Sequence, residues 1–291
     1  MAIFYYMDFG VIHGSRNFGD DINPLLLGKL FHPTLIQSPK KCLIGIGTII
    51  NDKNVAKIAH YERKIVFSSG VGYGTVENQF DDSWDFVCVR GPDSADVLGL
   101  SVEKGICDGA ILLADFHQPK PSGAREGTVF IPHVNSGWSS GRGLKSICAD
   151  LGLTYLSPDA PFDTFIDTVQ TASLVITEAM HGAILADAMR TPWIPVNFLH
   201  HHRFKWEDWF KSIEVPYASH LIQPTFWDAN KPDFKDIIKT PYRLLKQDFA
   251  KKSLRRIMHE APALLSSDSV IEMRKQALRD RVAYINKKYK D

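Results

Sequence analysis

Short apolar runs rich in β-branched residues alternate with stretches of helical spacing through most of this chain. Eight runs predict strands: Ile3–Met7, Cys42–Gly47, Lys64–Ser69, Trp84–Val89, Thr128–Pro132, Thr154–Leu156, Ser173–Thr177 and Trp193–Asn197. Between them Pro24–Phe31, Asn51–His60, Ser94–Gly99, Leu144–Leu151, Phe162–Thr171 and Ala183–Arg190 read as helices, the first with Asn23 as cap. Such alternation predicts parallel sheets with crossover helices. The pattern breaks at His117–Gly127, HQPKPSGAREG, a stretch of Pro, Gly and charge that reads as a linker. Beyond about Pro216 the spacing turns helical. Three domains are expected: an α/β domain over 1–118, a second over 127–230, and a helical segment over 231–291 that packs back on the body.

Parallel strands place polar residues at their carboxyl ends, where open α/β sheets bind ligands. The most informative such end is Ala172–Val196, in which Glu178, Ala179, Met180, His181 and Gly182 sit between strand and helix. A helix opening there offers unpaired N–H groups to a phosphate or carboxylate. Ile131–Ser136 ends the neighbouring strand and puts His133 at the same edge, with Asn135 and Ser136 after it. In the first half, Asn17-Phe18-Gly19-Asp20, Gly45–Thr48, Ser68–Gly72 and Arg90-Gly91-Pro92 each follow a strand. Glycines at strand ends let backbone N–H groups approach a ligand closely. Arg203 and Lys205 follow the last strand. Two doubly wound, Rossmann-like halves facing across a cleft make a GT-B-like arrangement, and these loops are expected to meet in that cleft.

Composition narrows the classes. The 291 residues, 44% hydrophobic and 23% charged, describe a globular protein of ordinary two-domain size. No apolar run approaches the roughly 18 residues that span a bilayer, and MAIFYYMDFG lacks the basic start of a signal peptide. Cys42, Cys88, Cys107 and Cys148 stand in apolar contexts without a CxxC, which suits reduced core residues and a cytoplasmic location. His200-His201-His202 suggests a metal, but adjacent histidines share one ion poorly and no carboxylate or thiolate pattern supports them, so no metal is assigned.

The net charge of +1 hides an asymmetry. Lys231–Asp291 holds 16 Lys/Arg against 8 Asp/Glu, which leaves −7 on the rest. Within it Ile271, Leu278, Val282, Ile285 and Tyr289 recur at helical spacing, among Arg274, Lys275, Arg279, Lys287 and Lys288. Two readings stand: a helix resting on anionic lipid, and a terminal helix packed on the body. Nucleic acid is excluded as a partner, since this block lacks an aromatic platform or a known module.

With these segments assembled, the chain resembles the polysaccharide pyruvyltransferase family, in particular the ketal pyruvate transferases of succinoglycan- and xanthan-type exopolysaccharide synthesis. The resemblance runs from Met1 to Ser212. It rests on NFGDDINPLL (Asn17–Leu26), GIGTII (Gly45–Ile50), SSGVGYG (Ser68–Gly74), VRGPDS (Val89–Ser94), GICDGAILL (Gly105–Leu113), IPHVNS (Ile131–Ser136), ITEAMHGAILADAMRTPWIPV (Ile176–Val196) and RFKWEDW (Arg203–Trp209).

The resemblance implies a GT-B-like fold and transfer of pyruvate from phosphoenolpyruvate to a sugar of an exopolysaccharide repeat unit, closing a cyclic ketal and releasing phosphate. Phosphoenolpyruvate is then a substrate, and no cofactor is implied. The family's HG histidine falls on His181, its Pro-His strand end on His133 and its Arg-Gly strand end on Arg90. Many relatives carry an arginine where this chain has Ala179. On this reading His181 is the general acid, with Glu178 tuning it or acting as base and His133 beside it. Arg90, Arg203, Lys205, Gly182, Asn135 and Ser136 hold the donor, and Asn17, Gly19, Asp20, Ser69 and Gly70 face the acceptor. A lipid-linked acceptor would place the enzyme at the inner membrane face, with peripheral contact through the basic C-terminus. Two alternatives stay open: a sugar-nucleotide glycosyltransferase on the same scaffold, and a degenerate homologue that binds polymer.

Overall fold

The computed structural model describes residues 3–6, 17–77, 80–228 and 234–290, with backbone only over 234–239. Met7, at the end of the first predicted strand, and Lys231–Asp233, at the head of the basic block, lie outside the described residues. The chain forms two compact units. The first comprises Met1–His117, His202–Tyr217 and Ser266–Asp291; the second comprises Gln118–His201 and Ala218–Leu265.

In the first unit β1 (Ile3–Phe4), β2 (Lys41–Ile44), β3 (Arg63–Ser69) and β4 (Trp84–Val89) pair in chain order, all parallel. The sheet is covered on both faces, so its strands read as continuous apolar runs rather than as alternation. Cys42, Ile44, Val66 and Phe86 enter one cluster with Ile49, Ile58 and Ala95. Leu43, Ile65 and Phe67 are equally buried. Around the sheet lie α1 (Phe18–Ile22), α2 (Asp52–Lys57) and α3 (Pro92–Val97). Helical structure begins at Phe18, earlier than the Pro24 start expected, so Asn23 lies inside it and not at its cap.

In the second unit β5 (Thr128–Ile131), β6 (Thr154–Tyr155), β7 (Leu174–Thr177), β8 (Trp193–Asn197) and β9 (His220–Leu221) form a parallel sheet of order β6-β5-β7-β8-β9. The winding reverses between β5 and β7, the doubly wound feature expected of a half. α4 (Val134–Leu151), α5 (Phe162–Thr171) and α6 (Met180–Ala188) provide the crossovers. α4 begins ten residues before the expected start at Leu144, because its glycines serve packing: a Cβ on Gly143 would lie 2.5 Å from the Phe226 ring. α6 likewise begins at Met180, which puts His181 in the first helical turn instead of the preceding loop. β9 falls in the region read as wholly helical.

The last two helices belong to different units. α8 (Phe234–Glu260) packs Ala250, Leu254 and Ile257 into the second unit's core with Phe226, Leu144 and Ile147. α7 (Arg203–Ser212) and α9 (Asp268–Tyr289) belong to the first unit. The expected boundaries at 127–230 and 231–291 are therefore replaced by a discontinuous division, because the apolar faces of α7 and α9 bury within the N-terminal half. The expected linker falls at the crossing from His117 to Gln118.

α9 resolves the two readings of the basic helix. Ile271, Leu278, Ile285 and Tyr289 are buried. Arg274 pairs with Glu214 (3.0 Å), Arg279 with Asp115, Lys288 with Asp85 (2.8 Å) and Lys275 with Glu272. Four of its five named cations are thus engaged within the unit, and the lipid-facing expectation for this helix gives way to the packed terminus. The four cysteines are buried and form no disulfide. No described helix is long and apolar enough to cross a membrane. Leu278→Ala should cost about 2–5 kcal/mol through the lost contacts and the cavity, read as a lower denaturant midpoint, while exposed Lys287→Ala should stay within about 0.5 kcal/mol.

Candidate active site

The second unit presents its polar residues where its sheet reverses. β5 and β7 are neighbours whose connections leave in opposite directions, the place where such sheets bind ligands. His133 follows β5 and Glu178 follows β7, and the first turns of α4 and α6 open directly behind them.

Glu178 organises this edge. Its side chain is buried, and Oε1 accepts the N–H groups of Phe198 (3.1 Å), Leu199 (2.8 Å) and His200 (2.9 Å). Oε2 accepts the N–H of His133 (3.0 Å). Four main-chain donors satisfy one carboxylate, which a buried charge requires. Glu178 therefore ties the ends of β5 and β8 to β7, and the expectation that it serves as a base gives way to a positioning role: its lone pairs face the backbone.

The residues it positions are imidazoles. His133 caps α4, its Nδ1 accepting the N–H of Asn135 (3.2 Å), so the neutral ring carries its proton on Nε2. The ring lies against that of His200, with centroids 5.2 Å apart. His200 was read only as part of a histidine run, and it joins the site through Glu178. Ser136, three residues into α4, is fully buried, and its Oγ makes no hydrogen bond among the described residues. His181 is half-buried in the first turn of α6, whose cap, Ala179, offers no side-chain oxygen. Gly182 was assigned to the donor. A Cβ there would meet Thr177 Oγ1 at 2.7 Å and Ile131 Cδ1 at 3.1 Å, so its smallness lets α6 close on the sheet.

The first unit sorts its predicted residues differently. Arg90 is fully buried and spent: Nε donates to Asp208 (3.0 Å), one terminal nitrogen to Thr48 (2.6 Å) and the other to the Val71 carbonyl (2.8 Å). Asp208 also accepts the N–H groups of Asp93 and Ser94 at the start of α3, both at 3.0 Å. A Cβ on Gly70 would stand 2.3 Å from the Arg90 guanidinium carbon, and one on Gly91 as close to Asp208. Ser69 donates to the Gly47 carbonyl (3.1 Å). Arg90, Ser69 and Gly70 are thus taken out of the ligand-binding set: Arg90, with room left by Gly70, locks α7 to the sheet through Asp208, and Ser69 ties the end of β3 to the loop after β2. Arg203 faces solvent, pairs with Glu207 (2.7 Å) and lies over Tyr217, so its guanidinium is committed locally.

Asn17 and Asp20 are half-buried. Asn17 supplies the carbonyl that accepts the first N–H groups of α1, and its amide donates to Asp20 (2.7 Å). Gly19 is buried within that turn. Burial pushes the Asp20 carboxyl up to about 7; the Asn17 hydrogen bond and Lys205 oppose this, and Asp21 adds to it. Lys205 is buried, donates to the Tyr73 hydroxyl (3.0 Å) and lies 5.4 Å from that ring's centroid. The ring meets His202 edge-on at 4.6 Å. Gly72, at φ +150°, brings this loop against α7: a Cβ there would touch Thr48, His202 and Lys205. Burial and the Lys205 charge hold the His202 imidazole below its usual pKa. Tyr73 and His202 went unpredicted. The three adjacent histidines divide, with His200 in one unit and His202 in the other, and among the described residues no group of three or more potential ligands could hold a metal.

Two units, each built on a parallel sheet, the second with histidines at its switch point, define an α/β protein. The family described as polysaccharide pyruvyl transferase matches residues 3–200, and the chain belongs to that family. The succinoglycan biosynthesis protein ExoV of Rhizobium meliloti (strain 1021) is 39% identical over 216 residues, which are 72% of this chain and 65% of that protein. The chain therefore spans just under two thirds of this relative's length. Among solved structures, a UDP-GlcNAc 2-epimerase of Methanocaldococcus jannaschii, crystallised with UDP-GlcNAc and UDP, overlays with a TM-score of 0.43 at 10% identity, covering 91% of this chain and 82% of that one.

Two outcomes follow from these geometries. Arg90→Ala strands the buried Asp208 charge and should lower stability by about 3–5 kcal/mol in a denaturant titration. For Asp20 the folded pKa stands above the unfolded value, so the native state holds a proton the unfolded state has lost. Its contribution is intact below the unfolded value near 3.8 and declines as pH rises toward about 7. Asp20→Asn, which keeps the neutral form, should therefore gain stability relative to wild type between roughly pH 4 and pH 7 and hold the gain above it.

Proposed function

We propose that this protein transfers pyruvate from phosphoenolpyruvate to a sugar of an exopolysaccharide repeat unit, closing a cyclic ketal and releasing phosphate. The observation that carries the reading is the pairing of family membership with His133 and His181 at the switch point of the second sheet. ExoV's role in succinoglycan biosynthesis supports a saccharide acceptor, lipid-linked or polymeric.

The chemistry begins at the donor's methylene carbon. His181, as imidazolium, gives a proton to that carbon, which becomes a methyl group, and the adjacent carbon takes on oxocarbenium character. A sugar hydroxyl attacks there and gives up its proton. The carbon–oxygen bond to phosphate breaks, a second hydroxyl adds to the same carbon, and its proton leaves. The methyl group and the released hydrogen phosphate account for every hydrogen of the donor methylene and the two hydroxyls. Imidazole suits the first transfer because it titrates near neutrality. The protonated Nε2 of His133, the first turn of α4 and the buried Ser136 hydroxyl offer donors to the donor's anionic groups.

His181→Ala tests the reading. Phosphate release from phosphoenolpyruvate should fall about 100- to 10,000-fold while the denaturant midpoint holds. Near wild-type release would overturn the assignment. Protection from heat by a sugar nucleotide but not by phosphoenolpyruvate would favour the glycosyltransferase alternative.

A further inference from the structure

α8 carries an apolar row that no described residue of its own unit covers. Tyr242, Leu245 and Phe249 follow at i, i+3 and i+7 and are 63%, 53% and 50% exposed, with Leu244 beside them at 58%. Ala250, Leu254 and Ile257, about a third of a turn round the helix, are buried in the core and fix which side faces inward. Soluble proteins rarely leave such a row uncovered.

Its surroundings are cationic. Lys252 and Arg256 continue the row at i+10 and i+14, and Arg255 flanks it; all three are exposed. From Tyr242 to Arg256 the helix holds six Lys or Arg and one acid, Asp248. Asp248 pairs with Lys252 (2.8 Å) and approaches Lys251, which is held by Asp150. The ammonium groups of Lys246 and Lys252 lie over the rings of Tyr242 and Phe249, at 4.9 and 5.2 Å from their centroids. Their stems thus run along apolar surface while their charges stay at its border.

We propose that this face of α8 lies in the plane of an anionic phospholipid surface, with Tyr242, Leu244, Leu245 and Phe249 at the boundary of headgroups and acyl chains and Lys252, Arg255 and Arg256 against lipid phosphates. An apolar row with basic residues on the same face has the pattern of helices that lie on, and do not cross, a bilayer. A second copy of the chain fits poorly. Antiparallel pairing about Phe249 sets Lys252 opposite Lys246 and Arg255 opposite Arg243, like charge on like charge. The role falls to α8 and not to the more basic-looking α9, whose apolar row Ile271, Leu278, Ile285 and Tyr289 is buried and four of whose five named cations are engaged in ion pairs.

Sedimentation of the full chain with vesicles tests this without reference to catalysis, so failure of the pyruvyl-transfer reading leaves the result interpretable. Wild type should bind vesicles of phosphatidylcholine mixed with phosphatidylglycerol at low salt, and bind weakly to phosphatidylcholine alone. Joint Lys252→Gln, Arg255→Gln and Arg256→Gln should weaken partition roughly 10- to 100-fold and flatten its salt dependence. Leu245→Glu with Phe249→Glu should abolish it, while Lys287→Gln leaves it unchanged. Circular dichroism should show both multiple variants folded. Wild type that ignores anionic vesicles at low salt, variants that bind as wild type does, or a dimer that Phe249→Glu disperses would each overturn the proposal.

Discussion

The second unit depends on a single buried carboxylate. Parallel strands end in main-chain N–H groups without partners in the sheet, and at a ligand-binding edge those ends must be held without filling the space in front of them. Glu178 does this by accepting one N–H from the end of β5 and three from the end of β8. The charge is tolerated because donors surround it, and the donors are fixed because an unsatisfied buried carboxylate is costly. His133 and His200 inherit their positions from this arrangement, since both contribute backbone to the same two oxygens.

The first unit reaches the same end by a different route. Arg90 and Asp208, from β4 and α7, are joined at zero exposure, and each completes its hydrogen bonds with backbone or hydroxyl groups nearby. Asp108, whose carboxyl burial pushes up to about 6, senses both charges. Asn23 makes a comparable link, donating to the Ile46 carbonyl (3.0 Å) and accepting the Ile46 N–H (2.7 Å), with Gly45 leaving room for its amide. The motifs of this half are therefore largely a framework, to which Asp20 and Lys205 do not belong.

Strand positions were legible because buried parallel strands are compact apolar runs, and the edge bearing His133 and His181 followed from where those runs end. Glycine-rich sequence misled in both directions. The run before Leu144 looked like a loop, although its glycines serve contact with Phe226; Gly70 and Gly182 looked like ligand contacts, although they make room for Arg90 and for Thr177. Arg90 was expected to grip a donor because a cation at a strand end looks the same whether it faces solvent or Asp208, 118 residues away. Partners so distant in sequence leave no local signal. Tyr73 and His202 escaped for the same reason, since their contact depends on α7 returning to the first unit.

That return has a consequence in time. The first unit is assembled from three stretches of chain, the last beginning at Ser266, with the whole of the second unit's sequence between them. At roughly 5–20 residues per second, the nearly 150 residues from Gln118 to Leu265 take on the order of 10–30 s to synthesise. During that interval the N-terminal sheet exists without α9, and at first without Asp208 to satisfy Arg90. The unit encoded first is thus the last to be completed. The nascent chain carries an unfinished α/β layer, with its apolar surface open to chaperones or to aggregation, until the final helix emerges.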